Sequence, residues 1–417
     1  MSHGCMSAME PMTRAGALKS LADFLPKVAT YQGERSYVRD GHPNVSGLSA
    51  ALRFRLILED EVVAQTLARY TLGNAEKWLQ EVCWRRYWKG WLEQRPGVWT
   101  GWRERVGALR ETLSPERAAR AEAVAAGQSG VACMDAIARE LVETGYLHNH
   151  ARMWWASFWI HAERLPWELG ADFVFRYLLD ADSASNTLSW RWVAGLQTPG
   201  KTYLVRLSNV EKYGAGYLAG REEGRLRLAD GAMAAAPVKE SAEVGRTVVA
   251  EYPAELADGG GRVGLWLHSD DLLGEVGPLA ALSVVAVAAG LSDGVDQKIY
   301  RLSERRRAVQ RAAVGDGLER AAAHFGCGAA ALAGDDLVAE MGDWAAREKL
   351  AEVVGFAPMV GPLGDLRPRL EEVLRRQGVR LRLVRRASDA VAFSFAGAGF
   401  FPFWQKMSRH LSQPHPL

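Results

Sequence analysis

Between Gly145 and Trp192 the chain reads GYLHNHARMWWASFWIHAERLPWELGADFVFRYLLDADSASNTLSWRW, and six tryptophans stand there beside His148, Asn149, Arg152, Asp180, Asp182 and Asn186. A globular core needs aromatics, but not this many indoles set among polar side chains. Tryptophan stacks on flat ring systems and can carry an electron. An arginine near a carboxylate offers a bidentate fork, and a neutral amide such as Asn186 both donates and accepts. His148, His150 and His161 have no spacing that closes a ligand set, so no metal is expected.

Two further stretches could do chemistry. In WLQEVCWRRYW (Trp78–Trp88) the residues Trp78, Glu81 and Arg85 recur at helical steps, and Trp84 follows Glu81 by three. Such a stripe is usually core, yet a carboxylate left unpaired among apolar neighbours is expensive. Val45-Ser46-Gly47-Leu48-Ser49 reads as a helix start, where hydroxyls and open backbone N–H groups attract anions. A plain helix cap has the same signature, both here and at Asp182 and Asn186.

The elements that must position these residues are helical in the first half of the chain. A short helix is expected around Leu18–Leu25. From Leu48 onward apolar residues recur at helical spacing (Leu52, Leu56, Val63, Leu67), as do Ile137 and Leu141 within a helix from Asp135 to Leu147. Gly127–Gly130 separates that helix from a charged one at Pro115–Ala126. Residues 1–213 thus form an all-helical domain. Residues 214–261, rich in Gly and Ala, suit an extended linker. Residues 262–417 alternate short apolar strands (Arg262–His268, Ser283–Ala288, Phe356–Val360, Val379–Val384) with helices near 297–325, 336–354 and 366–377. That alternation predicts a Rossmann-like parallel α/β domain.

With 417 residues the chain can bury two cores. A formal charge of +2 does not announce a nucleic-acid binder, so any DNA contact must come from a local patch. Cys5, Cys83, Cys133 and Cys327 show no metal or redox spacing and read as idle thiols of a reducing compartment. No apolar run is long enough to span a bilayer, so no membrane is expected and a cytoplasmic setting is.

Arg152-Met153, Asp180-Ala181-Asp182, Asn186 and Trp190-Arg191-Trp192 together resemble the flavin-binding domain of the photolyase/cryptochrome family, whose pattern runs G-W-x-H-N-x-x-R-M, D-G-D-x-A-x-N, W-x-W. Residues 78–88 resemble that family's W-x-N-E-L-x-W-R-E-F-Y helix, and residues 45–49 its T-S-x-L-S turn, with Val45 in place of Thr. The resemblance implies FAD held by Val45, Ser46, Gly47, Leu48, Ser49, Trp78, Arg85, Asn149, Arg152, Asp180, Ala181, Asp182 and Asn186. Arg152 would pair with Asp180 beside the flavin ring, and Asn186 would face its N5. Trp84 and Trp192 would clamp a flipped pyrimidine dimer, with Met153 and Glu81 at the same pocket. Trp190 and Trp167 would begin an electron relay to the surface that Trp99 or Trp102 completes. Arg86, where the family has Glu, would make the pocket rim more positive and contact DNA together with Glu81, Trp84, Asn149, His150 and Trp192.

The second half resembles the same family in permuted order. RVGLWLHSDDL (Arg262–Leu272) is similar to the opening strand of the family's N-terminal antenna domain, and GFFPFWQKM (Gly399–Met407) to the F-T-P-F-W-K segment that closes it. Ser269, Asp270 and Asp271 stand where two arginines are usual, which leaves the antenna pigment open. The function implied is a monomeric, FAD-dependent, light-driven photolyase acting on cyclobutane pyrimidine dimers in damaged DNA. The alternative is a cryptochrome-like blue-light photoreceptor that signals to a protein partner. A third reading is another chemistry on a borrowed flavin domain.

Overall fold

The computed structural model describes residues 12–198, 201–236, 238, 245–257, 259–291 and 296–413. Cys5 and residues 239–244 of the expected linker lie outside them. The chain divides into two compact units, and each is discontinuous in sequence. One combines Thr30–Gly47 with the described residues of 97–245; the other combines those of 9–29 with Leu48–Pro96 and those of 246–417.

The first unit is helical. Its main helices are Gly97–Thr112, Pro115–Ala125, Ala132–Thr144, Asn149–Ser157, Trp167–Tyr177, Ser183–Val193 and Leu207–Tyr213. Ser114 caps the second through its hydroxyl, with Pro115 in the first turn where its missing N–H costs nothing. Gly127 and Gly130 turn the chain at φ +69° and +77°. The stretch expected as an extended linker instead carries the helix Ala215–Leu218 and a 3-10 turn at Arg225–Leu228. Tyr217, Leu218 and Leu228 are buried, and these few apolar side chains anchor what composition alone reads as open chain.

The second unit contains a five-stranded parallel sheet: β1 Val263–Leu267, β2 Val284–Gly290, β3 Gly328–Leu332, β4 Glu352–Phe356 and β5 Arg380–Val384, ordered β3-β2-β1-β4-β5. The central strands β1 and β4 are buried along their whole length, as expected where helices cover both faces. Trp266, Met341, Trp344, Val353, Leu370 and Leu374 lie in the core on one side. β4 begins at Glu352, four residues before the expected Phe356, and 357–360 is loop. β3 falls outside the expected strands altogether.

The largest difference is the company kept by residues 48–96. The helix Leu72–Glu93 belongs to the sheet-bearing unit, not to an independent helical domain. Its contacts explain why. The Tyr87 hydroxyl donates to Ala398 O (2.8 Å), Gln94 Nε2 donates to Phe393 O (2.8 Å), and Trp404 Nε1 donates to Glu76 Oε1 (2.9 Å). At Gly90 a Cβ would sit 2.8 Å from the Phe393 backbone, so only glycine admits the helix Ala387–Phe395 this closely.

A buried charge cluster completes this unit. Arg55, in the left-handed region at φ +53°, donates to Asp271 (2.9 Å) and Asp389 (2.7 Å), and Arg386 grips Asp271 at 2.8 and 2.9 Å. The acidic pair at 270–271 meets arginines from elsewhere in the chain: Asp271 meets Arg55 and Arg386, and Asp270 meets Arg53 at 3.1 Å.

Candidate functional site

In the helical unit, the helix Ser183–Val193 starts at Asp182, whose Oδ1 accepts from Ser185 N (2.7 Å) and Oδ2 from the Ser185 hydroxyl (2.6 Å). The plain capping role therefore holds for Asp182, whatever else it does. One turn on, Asn186 is buried, and its Nδ2 donates to Ala171 O (3.0 Å), which commits one amide hydrogen and fixes the orientation of the amide. The neighbouring Thr187 is fully buried, and its hydroxyl has no partner among the described residues.

Asp180 is buried and is held by both terminal nitrogens of Arg152, while Arg152 Nε donates to Leu147 O (2.8 Å). Asn149 opens the helix Asn149–Ser157, is exposed, and points its amide at Met153 Sδ (3.7 Å) one turn on. His148 caps that helix: its Nδ1 accepts from His150 N and its Nε2 donates to Arg35 O. Burial, and then the neighbouring His150 and His42, push the His148 imidazole down to about 3, so it is neutral. Burial likewise lowers His150. Among the described residues no group of His, Cys, Asp and Glu could hold a metal.

Trp190 is buried, with Gly170 against its ring. A Cβ at Gly170 would lie 2.4 Å from Trp190 Cη2 and 2.9 Å from Trp159 Cδ1. Trp190 meets Trp155 at 6.1 Å between centroids, and Trp155 meets Trp159 at 5.2 Å and Phe173 at 5.2 Å. Trp167 is buried beneath Arg105. Trp99 and Trp102 lie 5.0 Å apart and are 0% and 1% exposed. This corrects the expectation that either one ends a relay at the surface, since a final carrier must touch solvent. Trp155 and Trp159, which that expectation passes over, are the indoles in ring contact with the Trp190 line; the WW pair at 154–155 is their only signal in the sequence. Trp192 is half-buried and stacks on Tyr203 at 5.6 Å and 28°.

Residues 45–49 straddle the boundary between the units. Gly47 turns at φ +69° on one side, and on the other the six-residue helix Ser49–Phe54 begins after Leu48 with no side-chain cap.

In the sheet-bearing unit, the helix Leu72–Glu93 carries further expected site residues. Trp78 is buried, donates to the Thr66 hydroxyl (3.0 Å) and packs on Phe24 at 5.0 Å. Glu81 and Arg85 are half-buried. Trp84 is also half-buried, and lies parallel to Phe400 at 3.6 Å and 8°. Arg86 is not on a rim. It is 1% exposed and grips Asp60 at 2.8 and 3.0 Å, with Glu59 and Asp389 at 3.5 and 3.4 Å. Burial alone would raise the Asp60 carboxyl, but the Arg86 charge and hydrogen bonds overcome that and hold it well below the usual range. A guanidinium so neutralised has nothing to offer a DNA phosphate. Burial pushes the Cys83 thiol up to about 12 and that of Cys133 up to about 11, which keeps both inert.

The helical unit thus carries two buried carboxylates in the loop and cap before Ser183, a guanidinium fork at Arg152, a buried amide at Asn186 and, among the described residues, an unpartnered hydroxyl at Thr187, group types that can hydrogen-bond the polar edge of a ring system.

Residues 78–217 match the family model described as the FAD binding domain of DNA photolyase. Deoxyribodipyrimidine photo-lyase of Streptomyces griseus is 32% identical over 172 residues, 40% of this chain and 36% of that protein. That of Thermus thermophilus is 32% identical over 189 residues, 45% and 44% of the two chains, and that of Escherichia coli is 28% identical over 205 residues, 46% and 41%. The chain spans about two fifths of the length of the curated relatives it matches. Among solved structures, a class III photolyase from Agrobacterium tumefaciens aligns with TM-score 0.43 at 25% identity, covering 50% of this chain and 44% of that one. Synechocystis cryptochrome aligns with TM-score 0.46 at 21% identity, covering 53% and 47%.

Proposed function

We propose, from the match of residues 78–217 to the FAD binding domain of DNA photolyase, that the protein is a light-driven photolyase acting on cyclobutane pyrimidine dimers in DNA. The observation that carries this reading is Asn186, a buried neutral amide beside the Asp182 cap and on the same unit as the Arg152–Asp180 fork. Light absorption and one-electron transfer would come from FAD when bound. The chain's own part is placement and charge. Arg152 and Asp180 would orient the ring, Asp182 would fix the start of the helix bearing Asn186, and Asn186 would meet either protonation state at N5 without supplying a proton. Trp84, on the sheet-bearing unit, would offer a flat face to an extruded dimer; a damaged base costs least to extrude.

The decisive measurement uses fully reduced protein with dimer-containing oligothymidylate, in light and in darkness. Restored thymine in the light alone supports repair. No restoration, with damaged DNA bound no better than undamaged, sinks the reading. A photoreceptor without repair is the second reading, and one observation favours it: the buried, neutralised Arg86 leaves no phosphate contact at a position expected to provide one.

A further inference from the structure

Trp84 and Phe400 come from opposite ends of the sheet-bearing unit's sequence and lie parallel, 3.6 Å apart. Aromatic pairs left to themselves favour offset or edge-on arrangements at about 4.5–7 Å between centroids, so surrounding contacts must set this one. They are visible on both sides of Phe400. Two residues before it, Ala398 O accepts from the Tyr87 hydroxyl; four after it, Trp404 Nε1 donates to Glu76. Both partners sit on Leu72–Glu93, the helix that carries Trp84. Phe403 adds a ring contact to Tyr87 at 5.3 Å. Phe400, Phe403, Trp404 and Met407 form the buried face of the helix Phe400–Leu411, so Phe400 is the first layer of a packed element, not a mobile lid.

An indole has two faces. Phe400 covers one, while Tyr87 and Trp88 approach Trp84 edge-on or tilted, at 80° and 37°. Among the described residues no second ring lies parallel to it. Phe400 is 5% exposed, whereas Trp84 is half-buried. We propose that Phe400 is a positioning residue: it backs Trp84 so that the indole's other face is held flat for an extruded pyrimidine dimer, as the middle layer of a three-layer stack. This rests on the photolyase reading above.

The test compares wild type, Phe400→Ala, Phe400→Tyr and Trp84→Ala. It reads equilibrium binding of a dimer-containing oligothymidylate, light-driven turnover at saturating lesion, FAD content and near-UV circular dichroism. Phe400→Ala should bind the lesion about 3- to 10-fold more weakly, the range for one aromatic pair. Its FAD content and saturated turnover should be unchanged, and its tryptophan dichroism reduced. Phe400→Tyr should restore binding, and Trp84→Ala should lose at least as much as Phe400→Ala. Unchanged binding in Phe400→Ala beside a loss in Trp84→Ala would overturn the proposal, as would tighter binding, which makes Phe400 an obstacle. Wild type that ignores the dimer altogether overturns the photolyase reading first and this role with it. Should Phe400→Ala fail to fold, Phe400→Leu, which keeps the apolar volume but not the flat face, must still show the binding loss.

Discussion

Arg152 holds Asp180 with both arms of its guanidinium, Nη1 to Oδ2 at 3.1 Å and Nη2 to Oδ1 at 3.0 Å, and uses its third nitrogen on the carbonyl of Leu147. A lysine cannot reproduce that fork. Arg152→Lys should therefore release FAD more readily, seen as a lower ratio of flavin to protein absorbance after gel filtration. Arg152→Ala, which leaves the buried Asp180 carboxylate under-paired, should also destabilise the helical unit by about 1–2 kcal/mol, less than for a fully buried pair because the arginine is partly exposed. Full FAD retention in both variants would remove the pair from the cofactor site.

Gly170 and Trp190 give a second prediction. A methyl at residue 170 would overlap the indole, so Gly170→Ala should cost about 1–3 kcal/mol of stability through overpacking and slow flavin photoreduction by shifting Trp190. Trp190→Phe should abolish photoreduction with FAD still bound. Absorbance of oxidised protein followed under illumination reads both, and unchanged photoreduction in Trp190→Phe would place the electron path elsewhere.

The charge cluster around Arg55 sets an acid limit. The carboxyls of Asp60, Asp271 and Asp389 lie below their ordinary values: burial opposes ionisation, but the adjacent arginines outweigh it. A depressed carboxylate stabilises the fold fully above its unfolded pKa, about 4, and that contribution disappears as pH falls through the folded value. The sheet-bearing unit should thus hold its stability down to about pH 4 and lose it steeply below. Asp389→Asn, which strips Arg55 and Arg86 of a shared partner, should cost about 3–5 kcal/mol. Denaturant midpoints across pH check both.

His148 predicts a loss of stability at milder pH. Held neutral down to about 3 by burial and its histidine neighbours, it gains a proton on unfolding below about pH 6.5. In that range the unfolded chain binds more protons, so stability of the helical unit should fall as pH drops from about 6.5, by up to about 1.4 kcal/mol per pH unit. His148→Asn, which keeps a capping side chain, should flatten this slope. An identical slope in the variant would assign it to other groups, with His150 and His161, both lowered by burial, next in line.

What the sequence discloses follows the range of each interaction. The Asp182 cap reaches three residues and the Arg152–Asp180 pair 28, both inside one motif-bearing stretch, so residue order carries them. Arg86 misleads because helical spacing gives a face without saying what that face meets; its partners lie 26 residues back at Asp60 and far downstream at Ser388 and Asp389. β3 is illegible because GAAAL has no β-branched or aromatic residue and stands at a sheet edge. β4 is expected too late because it opens on Glu352, a fully buried carboxylate that hydropathy rejects and that Arg380 and Arg382 make tolerable.

The hydrogen bond from Tyr87 to Ala398 closes a loop of 311 residues. During synthesis, the helix Leu72–Glu93 leaves the ribosome long before the strands and the Phe400 helix that it packs against exist. Its tryptophan-rich face must wait, exposed, while the whole helical unit is translated. At about 5–20 residues per second, the 311 residues from Tyr87 to Ala398 take roughly 15–60 s, ample time for chaperone capture or for aggregation of truncated chains. Yield of this protein should therefore depend on elongation rate and chaperone supply more than its finished stability suggests.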